Sequence, residues 1–510
     1  MSRSLPGAVL LLALAAAGCR EPREPVRAPL LLIGIDGGEL SVVDAMWKRG
    51  ELPNLKRLAE RGSFGQLRTF SSKSPVIWTT IATGVDPGAH GVVDFIVPHQ
   101  EGQTPVTSGV RRRPALWEML GRVDRRTAVL GWWVTWPAET LDGLMVSDRA
   151  ARGLAGSIWP PSRQADLDRW LAAADKLDLQ FGTDRQTELQ DRLTLLAARE
   201  AAADGYDLLM AYFRSTDIAS HRHFREFVRW AETGPAPESD GGPVATAYRA
   251  TDTALGEILA AAPRDARVLV VSDHGFEQRP TSRYVYLNLS RALAQLGLVK
   301  FAADGLVDPA ASLLWTDDLL GYQHRKQIFL RSGLAEAEQE QALATLRAAL
   351  PRFTFGTGAP AFRFLTPKSD EFARGARAVV EVDPTGIDGV LRLDGSPIPG
   401  VVQDAHELSG DHGSRTHGMF FAAGPGFARG AKLSDAGVQS IAPTVLFALG
   451  LPVAKDFVRG PLLELFDPAF RAAYPVREID SWGVRAPQQV ESSAADSELI
   501  RELGGLGYLN

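Results

Sequence analysis

The sequence predicts an α/β fold with a central, mostly parallel β-sheet flanked by helices. Short apolar runs that end abruptly in polar residues or glycine alternate with helical stretches along the chain. Runs that are apolar on both faces and too short for helices are typical of strands buried in such a sheet. Their alternation with helices favours parallel strands joined by crossover connections.

The predicted strands are, in chain order, residues 30–35, 128–133, 207–212, 268–271 and 418–423. The predicted helices are residues 115–120, 186–203, 334–350 and 441–449. Asp36 follows the first of these strands and Asp273 follows the fourth. In open α/β sheets, ligands bind beyond the carboxyl ends of the strands, so both carboxylates lie where a site is expected.

The middle of the chain differs in character, because glycine and proline interrupt it between residues 276 and 401. We interpret this region as an inserted cap that packs on the core. The predicted domains are a signal peptide (1–19), a tether (20–28), the first part of the core (29–275), the cap (276–401), the closing part of the core (402–465) and a C-terminal tail (466–510).

The N-terminus has the pattern of an export signal, with Arg3, a short apolar run at residues 8–17 and small residues before Cys19. Ten apolar residues are too few to span a bilayer. Residues 14–19 resemble a bacterial lipoprotein signal, in which the cysteine is lipidated after cleavage. We therefore expect export to the bacterial cell envelope and a lipid anchor on Cys19, at the periplasmic face or the cell surface. The alternative is an ordinary cleaved secretory signal with an incidental cysteine.

The composition limits the possible partners. A net charge of −6 and a pI near 5.9 provide no broad basic surface, so binding to nucleic acid is not expected. Cys19 is the only cysteine, which excludes disulfides within the chain.

Two clusters in the first hundred residues have the residue types that phosphate chemistry needs. The segment Asp36-Gly37-Gly38 places a carboxylate after a strand, beside glycines that allow a ligand to approach the backbone. Ser74 opens a predicted helix, whose positive end suits a bound phosphate. Each cluster alone also has a plain interpretation, as a turn for Asp36 and as a helix cap for Ser74.

Further clusters follow later in the chain. Asp217 and His221 are four residues apart, so they would share one face of a helix and could chelate one ion. Asp273-His274 follows a strand, and Asp411-His412 lies further on. Chance pairs and solvated loops explain each of these clusters separately.

Together the clusters supply Asp, Ser, Asp, His, Asp, His and His in that order, and here the chain resembles the type I phosphodiesterase and nucleotide pyrophosphatase branch of the alkaline phosphatase superfamily. The resemblance runs from residue 30 to residue 465. Supporting stretches are residues 136–139, 143–147, 287–288, 424–426, 442–444 and 450–452. It implies an alkaline-phosphatase-like sandwich and a hydrolase of phosphoric esters.

The resemblance also implies a catalytic nucleophile, Ser74, and two divalent metal ions. The ligands that it implies for one ion are Asp217, His221 and His412. Those that it implies for the other ion are Asp36, Ser74, Asp273 and His274. Mixed histidine and carboxylate ligands suit zinc, with manganese or iron as alternatives. The expected chemistry is attack by the Ser74 oxygen and hydrolysis of a phosphoseryl intermediate.

Two positions leave alternatives open. Related eukaryotic enzymes have a threonine nucleophile and, three residues later, an asparagine that contacts phosphate; this chain has Ser74 and Ile77. The missing asparagine argues against nucleotide diester specificity. The last metal ligand is His412 by preference, with His417 as the alternative.

The predicted function is hydrolysis of a small-molecule or lipid-headgroup phosphoester, with a phosphodiester favoured. The alternatives are a phosphomonoesterase, a phosphoryl-group transferase on the same fold, and a metal-binding lipoprotein without catalysis. A sulfatase would need a Cys/Ser-X-Pro-X-Arg motif, which residues 72–78 lack. Among other residues, His90 is expected to pack a turn or to support the Ser74 segment, and Trp78 could line a substrate pocket. Residues 111–113 are expected to form a solvated loop, with attraction of an anionic substrate as the alternative.

Overall fold

The computed structural model describes most of the chain between residues 28 and 506. The described ranges are 28–99, 102–233, 240–278, 285–301, 307–308, 310–316, 325–331, 333–356, 358–369, 372, 376–382, 390–404, 408–412, 416–486 and 488–506. The predicted signal peptide, with Cys19, lies outside the described residues. Within the described ranges, no helix combines the length and the apolar character needed to cross a membrane.

Helices and strands alternate through most of the described chain. The helices are α1 (Leu40–Trp47), α2 (Pro53–Arg61), α3 (Ser74–Thr83), α4 (Pro87–His90), α5 (Leu116–Gly121), α6 (Gln164–Ala174), α7 (Arg185–Asp204), α8 (Ser215–Thr233), α9 (Gly242–Ala261), α10 (Leu289–Ala294), α11 (Glu336–Ala349), α12 (Ile441–Ala448), α13 (Pro468–Ala473) and α14 (Asp496–Gly505). The strands are β1 (Leu30–Ile35), β2 (Ser63–Leu67), β3 (Ile96–His99), β4 (Gly102–Pro105), β5 (Thr127–Leu130), β6 (Gly143–Val146), β7 (Ile158–Trp159), β8 (Leu208–Phe213), β9 (Arg267–Val271), β10 (Glu277–Gln278), β11 (Val285–Leu287), β12 (Leu314–Thr316), β13 (Arg325–Leu330), β14 (Phe353–Thr354), β15 (Phe362–Leu365), β16 (Ala378–Val382), β17 (Leu391–Leu393), β18 (Ser396–Ile398), β19 (Val402–Asp404), β20 (Gly410–Asp411), β21 (Gly418–Ala423), β22 (Val453–Ala454) and β23 (Glu478–Ile479).

The central sheet has eight strands in the order β2-β21-β9-β1-β8-β5-β6-β7. β1 pairs in parallel with β8 and β9, and β5 pairs in parallel with β8 and β6. β21 is antiparallel to both of its neighbours, β9 and β2, and β7 is antiparallel to β6. The prediction of an α/β fold with a mostly parallel central sheet is therefore confirmed.

Helices cover both faces of this sheet, which explains why β1 is apolar throughout. Side chains alternate between the two faces of a strand. Leu31 and Ile33 pack in the apolar cluster that includes residues of α7, α8 and α9. Leu30 and Leu32 pack in the cluster that includes residues of α3 and α12. Burial on both faces therefore requires a continuous apolar run rather than an alternating one.

The region that the sequence predicts as an inserted cap has its own small sheets. One has the order β12-β13-β16-β15 and another the order β14-β17-β18. Their apolar cluster, which includes Leu293, Leu346 and Phe353, is separate from the two clusters of the central sheet. The domain boundaries at residues 275, 401 and 465 remain predictions.

The interpretation of residues 111–113 as a solvated loop is wrong for Arg111, which is only 1% exposed. The Arg111 guanidinium pairs with Glu118 at 2.6 Å and with Glu139 at 2.7 Å. Arg485, from the predicted C-terminal tail, pairs with the same two carboxylates. The burial of Arg111 could not be predicted from the run of three arginines, because Glu139 and Arg485 are distant from Arg111 in the sequence.

Candidate active site

The sheet topology brings three carboxylates to one place. β8, β1 and β9 are neighbouring parallel strands, so their carboxyl ends lie side by side. Asp36 directly follows β1, Asp273 lies two residues after β9, and Asp217 is in the first turn of α8, which begins just after β8. All three are buried.

Asp217, His221 and His412 form the first group of possible metal ligands, with their donor atoms within 4.8 Å of one another. The spacing of four on α8 places the His221 Nε2 atom 3.6 Å from Asp217 Oδ1. The Nε2 atoms of His221 and His412 are 3.1 Å apart. His412 reaches this group from the residue after β20, which pairs with β10.

Asp36, Asp273 and His274 form the second group, again within 4.8 Å. His274 Nε2 lies 3.3 Å from Asp273 Oδ2 and 3.5 Å from Asp36 Oδ1. The other ring nitrogen, Nδ1, lies 3.2 Å from the Gly275 carbonyl oxygen, to which it can donate its hydrogen. That bond leaves the lone pair of Nε2 facing the carboxylates, as in a histidine that binds metal.

Ser74 adjoins the second group. Its Oγ lies 3.4 Å from Asp36 Oδ1 and 3.5 Å from His274 Nε2. Ser74 is the first residue of α3, after an extended Lys73, so its hydroxyl is at the positive end of the helix. An attacking oxygen and a bound phosphate would both be favoured there.

Aromatic side chains from α3 and from the central sheet region pack together and hold α3 in place. Trp78 is fully buried, with its ring against those of Trp132 and Tyr212. This packing needs glycine at position 34, because a Cβ there would lie 2.8 Å from the Trp78 ring. Trp78 therefore supports α3 from the core, and the expectation that it could line a substrate pocket is wrong.

His90 supports the same helix, as the sequence predicts. The Val92 N–H donates to His90 Nδ1, so the hydrogen is on Nε2, which lies 2.9 Å from the Thr80 hydroxyl of α3. Burial lowers the pKa of His90 to about 3, against the effect of nearby Asp86. The imidazole therefore stays neutral at physiological pH.

The buried carboxylates of the two groups repel one another, and the described residues place no positive charge between them. Burial, together with the nearby charge of Asp36, raises the pKa of both Asp217 and Asp273 well above the usual carboxyl range. Asp217 Oδ1 and Asp273 Oδ2 accept no hydrogen bond from any described residue. Buried carboxylates this close together need a cation, and a set of oxygen and imidazole donors fits a divalent metal ion.

Residues 30–370 match the family described as Type I phosphodiesterase / nucleotide pyrophosphatase. The chain belongs to this family. Members are metal-dependent and hydrolyse phosphoric ester bonds, so the protein is a phosphoester hydrolase. The matched residues include Ser74 and five of the six possible ligands, whereas His412 lies beyond them.

Several solved structures are similar over most of the chain. Murine ectonucleotide pyrophosphatase / phosphodiesterase 5 is 14% identical, with 86% of this chain and 100% of that chain covered and a TM-score of 0.49. The human protein of the same name is 15% identical at the same coverage and TM-score. Phosphonoacetate hydrolase from Sinorhizobium meliloti 1021 is 15% identical, with 83% and 95% covered and a TM-score of 0.47. No curated protein sequence matches significantly.

Sequence reasoning missed the residues that orient these groups. The Tyr212 hydroxyl donates to Asp36 Oδ2, and the Thr216 hydroxyl donates to the Asp36 carbonyl at 2.5 Å. The Ser272 hydroxyl accepts the Gly38 N–H and donates to the His274 carbonyl, each at 2.7 Å. Polar residues at the ends of strands were the available signal, because Tyr212 and Ser272 stand at the ends of β8 and β9.

The alternative ligand, His417, is in neither group of possible ligands. It directly precedes β21, whereas His412 follows β20. The ring of His412 stacks on that of His274, with 3.9 Å between the ring centroids. His412 thus adjoins both groups, and its backbone N–H donates to Asp411 Oδ1 at 3.0 Å.

Proposed function

We propose that this protein hydrolyses phosphodiesters through a covalent phosphoserine on Ser74, at a site that binds two divalent metal ions. The ligands of one ion are Asp217, His221 and His412. Those of the other are Asp36, Asp273, His274 and the Ser74 oxygen. Hydrolysis of a phosphomonoester, or transfer of the phosphoryl group to an acceptor other than water, is the alternative at the same residues.

The position of the Ser74 hydroxyl carries this proposal. Ser74 Oγ lies within 3.5 Å of an atom of Asp36 and an atom of His274, at the start of a buried helix. A serine that only capped the helix would instead accept a backbone N–H of the first turn. Ser74 makes no such cap bond, since it follows the N-cap residue, Lys73.

The residues present divide the chemistry among themselves. Bound divalent ions would lower the pKa of the serine hydroxyl and offset the charge on the phosphoryl oxygens. Ser74 Oγ then forms a bond to phosphorus while the bond from phosphorus to one ester oxygen breaks, and the departing alcohol takes up a proton. Water next cleaves the phosphoserine, which releases phosphate monoester and restores the serine.

The surroundings of position 77 favour a substrate that is not recognised as a nucleotide. The resemblance implies an asparagine at this position, but the chain has Ile77, which is fully buried in the core. No amide from this position can contact phosphate. The proposal is therefore a phosphodiesterase whose specificity comes from other residues.

Zinc is the metal that we propose, because both groups combine histidine nitrogen with carboxylate oxygen. Metal analysis of the purified protein, followed by removal with a chelator and addition of zinc, manganese or iron, identifies the metal. We expect zinc to restore the highest activity.

The deciding experiment measures hydrolysis of bis-p-nitrophenyl phosphate and p-nitrophenyl phosphate by the detergent-purified protein. We expect metal-dependent turnover, faster on the diester, and its loss in Ser74→Ala. Ser72→Ala, at an exposed position two residues earlier, is the matched control and should keep its activity. Retention of turnover by Ser74→Ala, or a protein that binds no metal, would refute the mechanism. Bound metal without turnover of any phosphoester would favour the non-catalytic alternative.

For the location of the protein, we propose a lipid anchor on Cys19 in the bacterial cell envelope. The residues that carry this proposal are those of the N-terminal signal pattern, outside the described ranges. A lipid-anchored hydrolase of this kind would meet small-molecule or lipid-headgroup phosphoesters.

A further inference from the structure

A cavity of about 220 Å³ lies beside the metal-ligand groups. Its lining includes Tyr212, whose hydroxyl donates to Asp36, so a residue of the cavity wall contacts the second group directly. Three arginines, Arg149, Arg214 and Arg222, also line it. Nothing in the proposed reaction at Ser74 uses these arginines.

The first turns of α8 supply two of the six candidate metal ligands and also one wall of this cavity. Ile218 and Arg222 each follow a ligand, Asp217 or His221, by one residue. One residue turns a helix by roughly 100°, so these two side chains face the space next to the ligands. They also line an adjoining cavity of about 230 Å³.

Each carboxylate that lines the cavity already has a hydrogen-bond or ion-pair partner, and Asp148 and Glu502 also lie near Arg214. Asp148 accepts the Val134 N–H at 3.1 Å. Asp184 caps α7, where it accepts the N–H and the hydroxyl of Thr187 at 3.0 Å. The third carboxylate, that of Glu502 in α14, pairs with Arg152.

Arg149 donates to the Pro105 and Val106 carbonyls, but the other two guanidinium groups have fewer hydrogen-bond partners among the described residues. Arg222 makes no hydrogen bond or ion pair through its side chain with any described residue. Arg214 lies over the ring of Trp133, 5.1 Å from its centroid, and its buried Nε has no hydrogen-bond partner among the described residues. Asp191 nearby bonds to the backbone N–H of Arg214 instead. The Arg222 guanidinium is therefore the positive charge of this cavity that no carboxylate among the described residues pairs, whereas Arg214 lies near Glu502 and Asp191.

The remaining walls are apolar. Phe95, Trp133 and Ile218 form one side, and Leu499, Leu503 and Leu506, from α14 and the residue that follows it, form another. Apolar walls around a few convergent charges are typical of a small-molecule site. The matching ligand has an aromatic or apolar body and an anionic group.

We propose that this cavity binds an organic group of the phosphoester, and that it selects substrates with a second negative charge on an aromatic or apolar body. Arg222 and Arg214 are the residues that recognise this charge. The inference rests on the proposed function, because it deepens the specificity of the same site.

The test compares two diesters that release the same p-nitrophenol: p-nitrophenyl phenyl phosphate and p-nitrophenyl 4-carboxyphenyl phosphate. We expect at least about a tenfold higher kcat/KM for the carboxylated diester, which corresponds to one charge-assisted contact. Arg222→Gln and Arg214→Gln should each reduce that ratio. Arg229→Gln, an exposed arginine on the same helix, is the matched control and should leave the ratio unchanged.

A binding experiment keeps the two proposals separate. Calorimetric titration of Ser74→Ala with 4-carboxyphenyl phosphate and phenyl phosphate does not need turnover. Tighter binding of the carboxylated compound, lost when Arg222→Gln is added, supports the cavity even if neither diester is hydrolysed. Equal affinity for the two compounds overturns the inference, and hydrolysis of both diesters at equal rates does so while leaving the proposed function intact.

Discussion

At the scale of the residue, the candidate site depends on which ring nitrogen of each histidine is available. The hydrogen bond from His274 Nδ1 to the Gly275 carbonyl leaves Nε2 for the carboxylate group. The Nε2 atoms of His221 and His412 face each other at 3.1 Å, so one of them must hold a proton unless a cation lies near both. Their approach is thus a reason to expect metal.

His412 and His417 offer a matched pair of substitutions. We expect His412→Ala to lose bound metal and to lower kcat/KM at least about tenfold, because even residues that only orient metal ligands have effects of this size. His417→Ala should change neither property, since His417 belongs to neither ligand group. Elemental analysis of both dialysed variants measures the metal, and loss of metal from His417→Ala alone would reverse the assignment.

The same scale shows what could be predicted from the sequence. Five of the six candidate ligands lie together because they follow the neighbouring parallel strands β1, β8 and β9, whose carboxyl ends lie side by side, whereas His412 joins them from β20 in a separate sheet. The arginines of the cavity could not be predicted. Their importance comes from partners they lack, and no spacing in the sequence shows that Arg214 and Arg222 share a cavity.

At the scale of the element, α3 must stay in place for Ser74 to remain beside the ligand groups. His90, in α4, helps to hold it through Thr80. Because burial lowers the pKa of His90 to about 3, the folded protein keeps this ring neutral as the pH falls, whereas the unfolded chain takes up a proton below pH 6.5. His90 therefore makes the fold less stable as the pH falls from 6.5 towards 3.

We expect His90→Gln to remove this part of the acid sensitivity. Between pH 7.5 and pH 5, the free energy of unfolding of the wild type should fall by about 2 kcal/mol more than that of the variant. Denaturation in urea at both pH values measures the difference. His223→Gln, at a partly exposed position on α8, is the control and should follow the wild type. A constant difference between His90→Gln and the wild type would contradict the expected role.

Elements whose apolar pattern reflects burial on both faces were the most predictable. β1 and β21 have the bounds that the sequence predicts, and α7 differs from its predicted bounds by one residue at each end. Two features depend on tertiary contacts and could not be read from the pattern. β21 is antiparallel to both neighbours, and α8 continues well beyond the Asp217 to His221 segment.

At the scale of the whole molecule, the expected anchor lies outside the described residues and needs its own test. We expect Cys19→Ser to move the protein from the membrane fraction to the soluble fraction, because Cys19 is the only cysteine that could carry lipid. Mass spectrometry of the N-terminal peptide of the wild type should show a lipidated Cys19. An unmodified cysteine, or cleavage at another residue, would favour the ordinary secretory signal.

The position of β1 in the sheet has a consequence for the order in which the protein folds. β1 lies between β8 and β9, so both of its partners are synthesised long after it. Pairing over such sequence distances is slow, and an apolar strand that waits for its partners is prone to aggregate. A nascent chain that ends before residue 267 cannot complete the centre of its sheet. The strand that leads to Asp36 is thus made early and paired late.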